Sequence, residues 1–258
     1  MTVRQVFYRL VSTGAIDKTE GEYKATVCRL LGDMRRSGEI PFGWIADSTR
    51  WMRKPTTYGS LAEALRSTAR YYRRAVWDDL DVYVEVWLEK DALAGVLMEE
   101  TEVWDVPLMV TRGYPSLTYL HGAAEQIAAL GKPAHLYYFG DYDPSGVDIT
   151  RAVEQGLREF APDADIEFER VAVTEQQIVD WSLPTRPTKA TDSRSRSFRG
   201  ESVEVDAIPP AGLRELVRER IERHVDASRL DRLAVVEGEE RKILEMFADR
   251  VARSEAGA

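Results

Sequence analysis

Residues 134–146 read AHLYYFGDYDPSG: an apolar run ends at Gly140 and passes straight into two aspartates, Asp141 and Asp143, followed by Pro144, Ser145 and Gly146. In an extended segment alternate side chains share a face, so the two carboxylates lean toward one point. Hard oxygen ligands at the C-terminal end of a strand suit Mg²⁺, which keeps most of its waters and takes one or two carboxylates together with phosphate oxygens. The same letters carry a plainer reading, in which Asp143 N-caps a helix that begins at Pro144. The acidic pair alone leaves both open.

Upstream, residues 81–100, DVYVEVWLEKDALAGVLMEE, predict a second strand that ends in a carboxylate, Glu89, with a helix starting at once. Between the two, a strand over residues 107–111 runs into the turn Arg112, Gly113, Tyr114 and Pro115 and then a helix. A further helix over 147–160, a strand in DIEFERVAV (165–173) and a short helix in EQQIVDWSL (175–183) continue the alternation. Strands and helices at these spacings predict right-handed crossovers and an α/β fold with a parallel sheet. Ligands of such sheets bind off the carboxyl ends of the strands, the edge at which Glu89, Gly113, Asp141 and Asp143 are all expected.

A chain of 258 residues with 44% hydrophobic content exceeds one average domain. It has no stretch approaching eighteen consecutive apolar residues and no basic-then-apolar leader pattern at its start, so a cytoplasmic, nucleoid-associated protein without membrane partners is expected. One cysteine, Cys28, excludes an internal disulfide and a thiolate zinc cluster, and His121, His135 and His224 lack metal spacing. The net charge of −9 is unevenly spread. Residues 1–77 carry 14 Lys/Arg against 7 Asp/Glu, and the remainder 21 against 37. A basic amino-terminal module on an acidic body is the asymmetry expected where one part meets phosphate.

Within that module the periodicity predicts a helix over Val3–Ser12, a turn in GAIDKTEGEY with Thr19 as N-cap, a second helix over 23–37 ending near Gly38, and a β-like wing in residues 39–55, EIPFGWIADSTRWMRKP. The order resembles a winged-helix domain, which sets a helix in the major groove of double-stranded DNA and a wing along the backbone. Arg29, Arg35 and Arg36 on the second helix, and Arg50, Arg53 and Lys54 in the wing, are the candidate phosphate contacts. Residues 59–77 predict an amphipathic connecting helix with Leu61, Leu65, Tyr72 and Val76 on its apolar side. Residues 184–200 hold five basic side chains against Asp192 alone, a solvated linker or a loop that folds on nucleic acid. Two charged helices close the chain, with Leu213, Leu216, Val217 and Ile221 as a packing stripe.

Glu89 in LEKDAL, the RGYPS turn and GDYDPSG together resemble the Toprim domain of topoisomerases, primases and some nucleases. The combination of EKDAL, GYP and DYDPSGVDI is most similar to the A subunit of type IIB topoisomerases and its relative, the meiotic double-strand-break protein. Residues 187–194, PTKATDSR, followed by VEVDAIPP, are similar to a stretch of the bacterial and phage members, and single out Arg194 for DNA binding. The opening MTVRQVFYRLV is similar to the branch's tyrosine helix. Laid on it, Tyr8 falls on the nucleophile, with Arg4 one turn ahead on the same face. A phenol of pKa about 10 needs a base or nearby positive charge to attack phosphorus. Seven residues precede Tyr8, where members of the branch carry a longer lead.

The resemblance implies an N-terminal winged-helix domain (1–57), a connecting helix (58–79), a Toprim domain (80–172) and a C-terminal extension (173–258) with a basic loop and helices. It implies Mg²⁺ on Glu89, Asp141 and Asp143, with Gly113 and Gly146 shaping the site, and a homodimer making paired nicks. Strand passage is not expected of this chain alone, because it has no G-x-x-x-x-G-K-[ST] loop and would need an ATPase or other regulatory partner. Two alternatives stand beside DNA cleavage through tyrosine: a hydrolytic Toprim nuclease in which Tyr8 is structural, and a non-catalytic DNA-binding subunit of a larger complex.

Overall fold

The computed structural model describes residues 3–45, 55–187, 198 and 201–256. Compactness divides the chain into two units, Met1–Thr49 with Asp81–Ile221 and Arg50–Leu80 with Glu222–Ala258.

The first unit is built on a four-stranded, wholly parallel sheet of β1 (Tyr83–Leu88), β2 (Leu108–Val110), β3 (Ala134–Phe139) and β4 (Ile166–Ala172), in the order β2-β1-β3-β4. Each strand leads into a helix: α4 (Ala94–Thr101) after β1, α5 (Leu117–Leu130) after β2, α6 (Pro144–Phe160) after β3 and the short α7 (Glu175–Asp180) after β4. Alternation along the strands sends Trp87, Leu136 and Tyr138 to the face covered by α5 and α6, where they pack with Leu120, Ile127, Ile149, Val153 and Leu157. α8 (Pro210–Ile221) packs against α4 and buries the expected stripe of Leu213, Leu216, Val217 and Ile221. One carboxylate sits within the sheet itself: Glu85, almost fully buried, accepts hydrogen bonds from Tyr83 Oη and Trp87 Nε1, both at 2.7 Å.

The strand order matters more than the strand count. β1 crosses over to β2 on one side and β3 to β4 on the other, so the chain leaves the adjacent strands β1 and β3 in opposite directions. Their carboxyl ends form the one crevice of this sheet that its own connections do not cover.

Ahead of the sheet, α1 (Val3–Ser12) spans the expected residues and buries Phe7. Thr19 caps the next helix as expected, its Oγ1 accepting from Glu22 N at 3.1 Å. That helix opens with a π turn over Glu22–Cys28 before α2 (Arg29–Ser37), and ends on Gly38 in the left-handed conformation, φ 81°. The wing differs from expectation where it is described: Phe42–Trp44 form a 3₁₀ turn, with Trp44 N donating to Pro41 O at 3.1 Å, because the strand pattern there is interrupted by Pro41 and Gly43. Arg50, Arg53, Lys54 and Arg194 lie outside the described residues.

In the second unit α3 (Leu61–Tyr71) runs antiparallel to α9 (Ala227–Ala256). Leu61 N donates to Glu255, Arg66 pairs with Asp249 at 2.8 Å and Tyr72 Oη donates to Glu240 at 2.8 Å, an order that reverses along the two segments. The predicted connecting helix is therefore shorter than expected. Arg241 takes the Tyr72 carbonyl at 2.6 Å and holds Tyr72 extended, so Tyr72 and Val76 fall beyond the helix, although Val76 is still buried. The outer side of α9 leaves Val235, Ile243, Met246 and Phe247 exposed. No described helix is long and apolar enough to cross a membrane.

Candidate functional site

Glu89 follows β1 directly and Gly140 follows β3, so the two stand side by side at the crevice, with Glu89 N bonded to Phe139 O at 2.9 Å. The Glu89 side chain turns toward the β3 loop and accepts from Asp141 N at 3.2 Å. Asp141 Oδ1 in turn accepts from Val205 N at 2.8 Å, and Asp143 Oδ1 accepts from Gly146 N at 2.7 Å as the N-cap of α6. The capping reading of Asp143 is thus realised, and each of the three acids has committed one oxygen to a backbone N–H.

Electrostatics set the character of the group. Burial, then the charges of Asp141 and Asp143, push the Glu89 carboxyl up to about 7 against the pull of its hydrogen bond. Asp141 is also raised, by burial first and by Asp206 and Asp143, with Lys90 and the Val205 amide opposing. Three neighbouring carboxylates are hard oxygen donors of the kind Mg²⁺ takes. Their oxygens are not closed on one point: among the described residues no group of three or more His, Cys, Asp or Glu side chains is gathered as a metal cluster.

The two expected glycines act in different ways. A Cβ on Gly146 would stand 2.1 Å from Asp141 O and 3.3 Å from Glu89 Oε2, so only glycine lets α6 begin against the acidic loop. Gly113, at φ 92°, supplies a turn conformation that side chains disfavour, with open space around it.

The phenol meets this edge within the same unit. Gln5 on α1 donates to Ala92 O at 3.4 Å, which docks α1 on the segment that follows Glu89. Tyr8, half-buried beside Phe7, has the ammonium of Lys18 5.1 Å from its ring centroid and that of Lys90 5.3 Å away. Hydrogen bonding to Tyr8 is the main influence that lifts the Arg4 guanidinium above its ordinary value, and Arg4 also lies over the Tyr23 ring at 5.5 Å. Burial pulls Lys90 down, but Asp206 and Asp141 outweigh it and leave it raised.

Several residues here were not singled out from the sequence. Arg170, at the end of β4, donates to the carbonyls of Gly140 (3.1 Å), Asp141, Gly146 (3.2 Å) and Val173 (2.9 Å) and to Thr150 Oγ1, so one guanidinium holds the acidic loop together. Its signal was a lone arginine at the carboxyl end of a predicted strand. Lys90 sat within the EKDAL motif, and Glu204 and Asp206 within VEVDAIPP. Segment 202–206 reaches the site through paired backbone bonds between Val203 and Tyr142 at 2.8 and 2.9 Å.

The arginines proposed for DNA are less uniform. Arg29 and Arg36 are exposed and share Asp33, at 3.6 and 3.5 Å. Arg35 packs on the Phe42 ring, 4.6 Å from its centroid, and donates to Phe42 O, so part of its guanidinium is already engaged.

No protein-family model matches this chain, and no curated protein matches its sequence.

Proposed function

We propose that this protein breaks DNA strands through Tyr8, in the manner its resemblance to the type IIB topoisomerase A subunit implies, on an N-terminal winged-helix-like module joined to a Toprim-like sheet. The observation that carries the reading is that the ammonium groups of Lys18 and Lys90 both lie close to the Tyr8 ring, 5.1 and 5.3 Å from its centroid, with Lys90 next in the chain to Glu89. Two ammonium groups beside a phenol attract a phosphate to it.

In the proposed step the Tyr8 oxygen attacks phosphorus, a phosphotyrosyl bond forms and the bond to one deoxyribose oxygen breaks. The phenolic proton is lost and the departing sugar oxygen gains one. Arg4, Lys18 and Lys90 hold positive charge where negative charge gathers. Glu89, Asp141 and Asp143 would hold Mg²⁺, whose contribution when bound is positive charge beside the phosphoryl and departing oxygens. Arg170 fixes the carbonyls of the loop that presents the two aspartates.

Cutting both strands needs two such sites, and the exposed stripe of Val235, Ile243, Met246 and Phe247 on α9 supports a homodimer. Strand passage would require a separate ATPase partner. A second reading, DNA binding without metal chemistry, is favoured by the backbone partner that each of the three carboxylates already has. Incubation of labelled duplex with protein and Mg²⁺, followed by denaturation, separates the two. A covalent protein–DNA species that disappears in Tyr8→Phe supports cleavage through tyrosine; free-ended products that persist in Tyr8→Phe point to hydrolysis; intact DNA points to binding alone.

A further inference from the structure

Three cationic side chains from distant parts of the chain converge on a single carboxylate. Glu204 accepts from Lys18 at 2.6 Å and from Arg186, and lies 3.5 Å from the Lys90 ammonium. Lys18 belongs to the turn after α1, Lys90 to the end of β1 and Arg186 to the segment after α7, whose backbone pairs with Ser202 at 2.8 Å in both directions.

We infer that Lys18, Lys90 and Arg186 form a binding site for a nucleic-acid phosphodiester, and that Glu204 occupies it as a stand-in until DNA displaces it. The inference rests on the reading that phosphate is delivered to Tyr8. A carboxylate and the two non-bridging oxygens of a phosphodiester present the same fork to ammonium and guanidinium donors. The ammonium groups of the same two lysines lie 5.1 and 5.3 Å from the Tyr8 ring centroid, so an anion in the place of Glu204 stands beside that ring.

Glu204 is suited to leaving. Its side chain keeps 23% of its surface exposed, Lys18 34% and Arg186 48%, so water reaches the Lys18 and Arg186 ends of the cluster, where an incoming anion can compete for their donors. The cradle would survive the exchange. Asp206, with 5% of its side chain exposed, holds Lys90 through Oδ2, while its Oδ1 is buried without a hydrogen-bond partner. Glu204 and Asp206 face three cations between them, and burial, then the charges of Arg186 and Lys90, lower Lys18 below the ordinary lysine value.

The test uses the full chain in chelator, so that binding is read without cleavage. Anisotropy of a labelled duplex is followed for the wild type, Glu204→Gln and the double variant Glu204→Gln with Lys18→Gln. Removing the competing negative charge should tighten binding about tenfold at low salt, and loss of Lys18 should reverse the gain. Equal or weaker binding by a folded Glu204→Gln protein overturns the inference, whatever the adduct assay reports. Should Glu204→Gln fail to fold, single Lys18→Gln and Arg186→Gln variants must each weaken duplex binding, and undiminished binding in both overturns it. Inorganic phosphate is titrated in parallel: competition with the duplex supports a shared site, and phosphate bound without competition assigns the cradle to free phosphate and contradicts the inference. Tight duplex binding by Glu204→Gln without any Tyr8 adduct would uphold the cradle and refute cleavage.

Discussion

The Glu89 carboxylate reaches across the crevice between β1 and β3 and accepts the backbone N–H of Asp141 at 3.2 Å. It is thus fixed against the loop of the aspartates with which it is proposed to share a cation, and their charges help hold it near 7.

A pH signature follows. Unfolded, Glu89 loses its proton near 4.5; folded, it keeps it to about 7. Folding therefore favours the protonated form, and stability falls as pH rises through that interval and levels off above it. In chelator, the wild type should lose up to about 3 kcal/mol of unfolding free energy across the window relative to Glu89→Gln, reduced by solvent screening. Urea melts at several pH values check this; parallel profiles for the two proteins would contradict it.

Asp143 separates capping from metal binding. Asp143→Ala should cost about 1 kcal/mol of stability through loss of the α6 cap. Asp143→Asn keeps an acceptor for Gly146 N and should melt within a few tenths of a kcal/mol of the wild type, yet lose Mg²⁺-dependent adduct formation. If Asp143→Asn forms adduct as the wild type does, Asp143 is a cap and nothing more.

Arg170→Met should leave several half-buried carbonyls of the acidic loop without their donor, at a cost of about 3 kcal/mol. Equilibrium denaturation measures the loss, and a change below about 0.5 kcal/mol would show that the loop holds itself.

Gly146→Ala places a methyl group 2.1 Å from Asp141 O. Backbone must move on one side or the other, so a destabilisation of about 2 kcal/mol or more is expected, with adduct formation lost as well. Gly113→Ala strains only its own φ and should cost about 1 kcal/mol.

The α9 stripe can be tested without touching the core, because Ile243 and Met246 are already exposed, at 52% and 70%. Ile243→Asp combined with Met246→Asp should leave thermal stability of the monomer unchanged and shift sedimentation from dimer to monomer. A monomeric wild type would rule out the self-pairing.

Much of the sheet and its edge was legible because the signals were local. The mostly apolar run YVEVWL, the Gly and Pro marks around GDYDPSG and the cap at Thr19 each act within a few residues, and the strands, α1 and α6 follow them. The α3–α9 pairing was hidden because it joins segments some 170 positions apart through Tyr72 and Arg241. Arg170 looked like an ordinary strand-end charge until the carbonyls of the β3 loop closed around it. The cradle around Glu204 was invisible for the same reason: it depends on Val203 pairing with Tyr142, a tertiary contact with no local pattern. The spacing of the acids predicted three carboxylates closing on one point; among the described residues they are not gathered so, and each instead has a backbone partner.

The central claim, that Tyr8 becomes covalently joined to DNA, is tested most directly by mass spectrometry of the tryptic peptide 5–9, QVFYR, after reaction with duplex and Mg²⁺ and digestion of the DNA. The account predicts a nucleotide mass on Tyr8, absent when Glu89 is replaced by Gln. Cleaved DNA with an unmodified Tyr8 peptide, or a nucleotide on another residue, would contradict it.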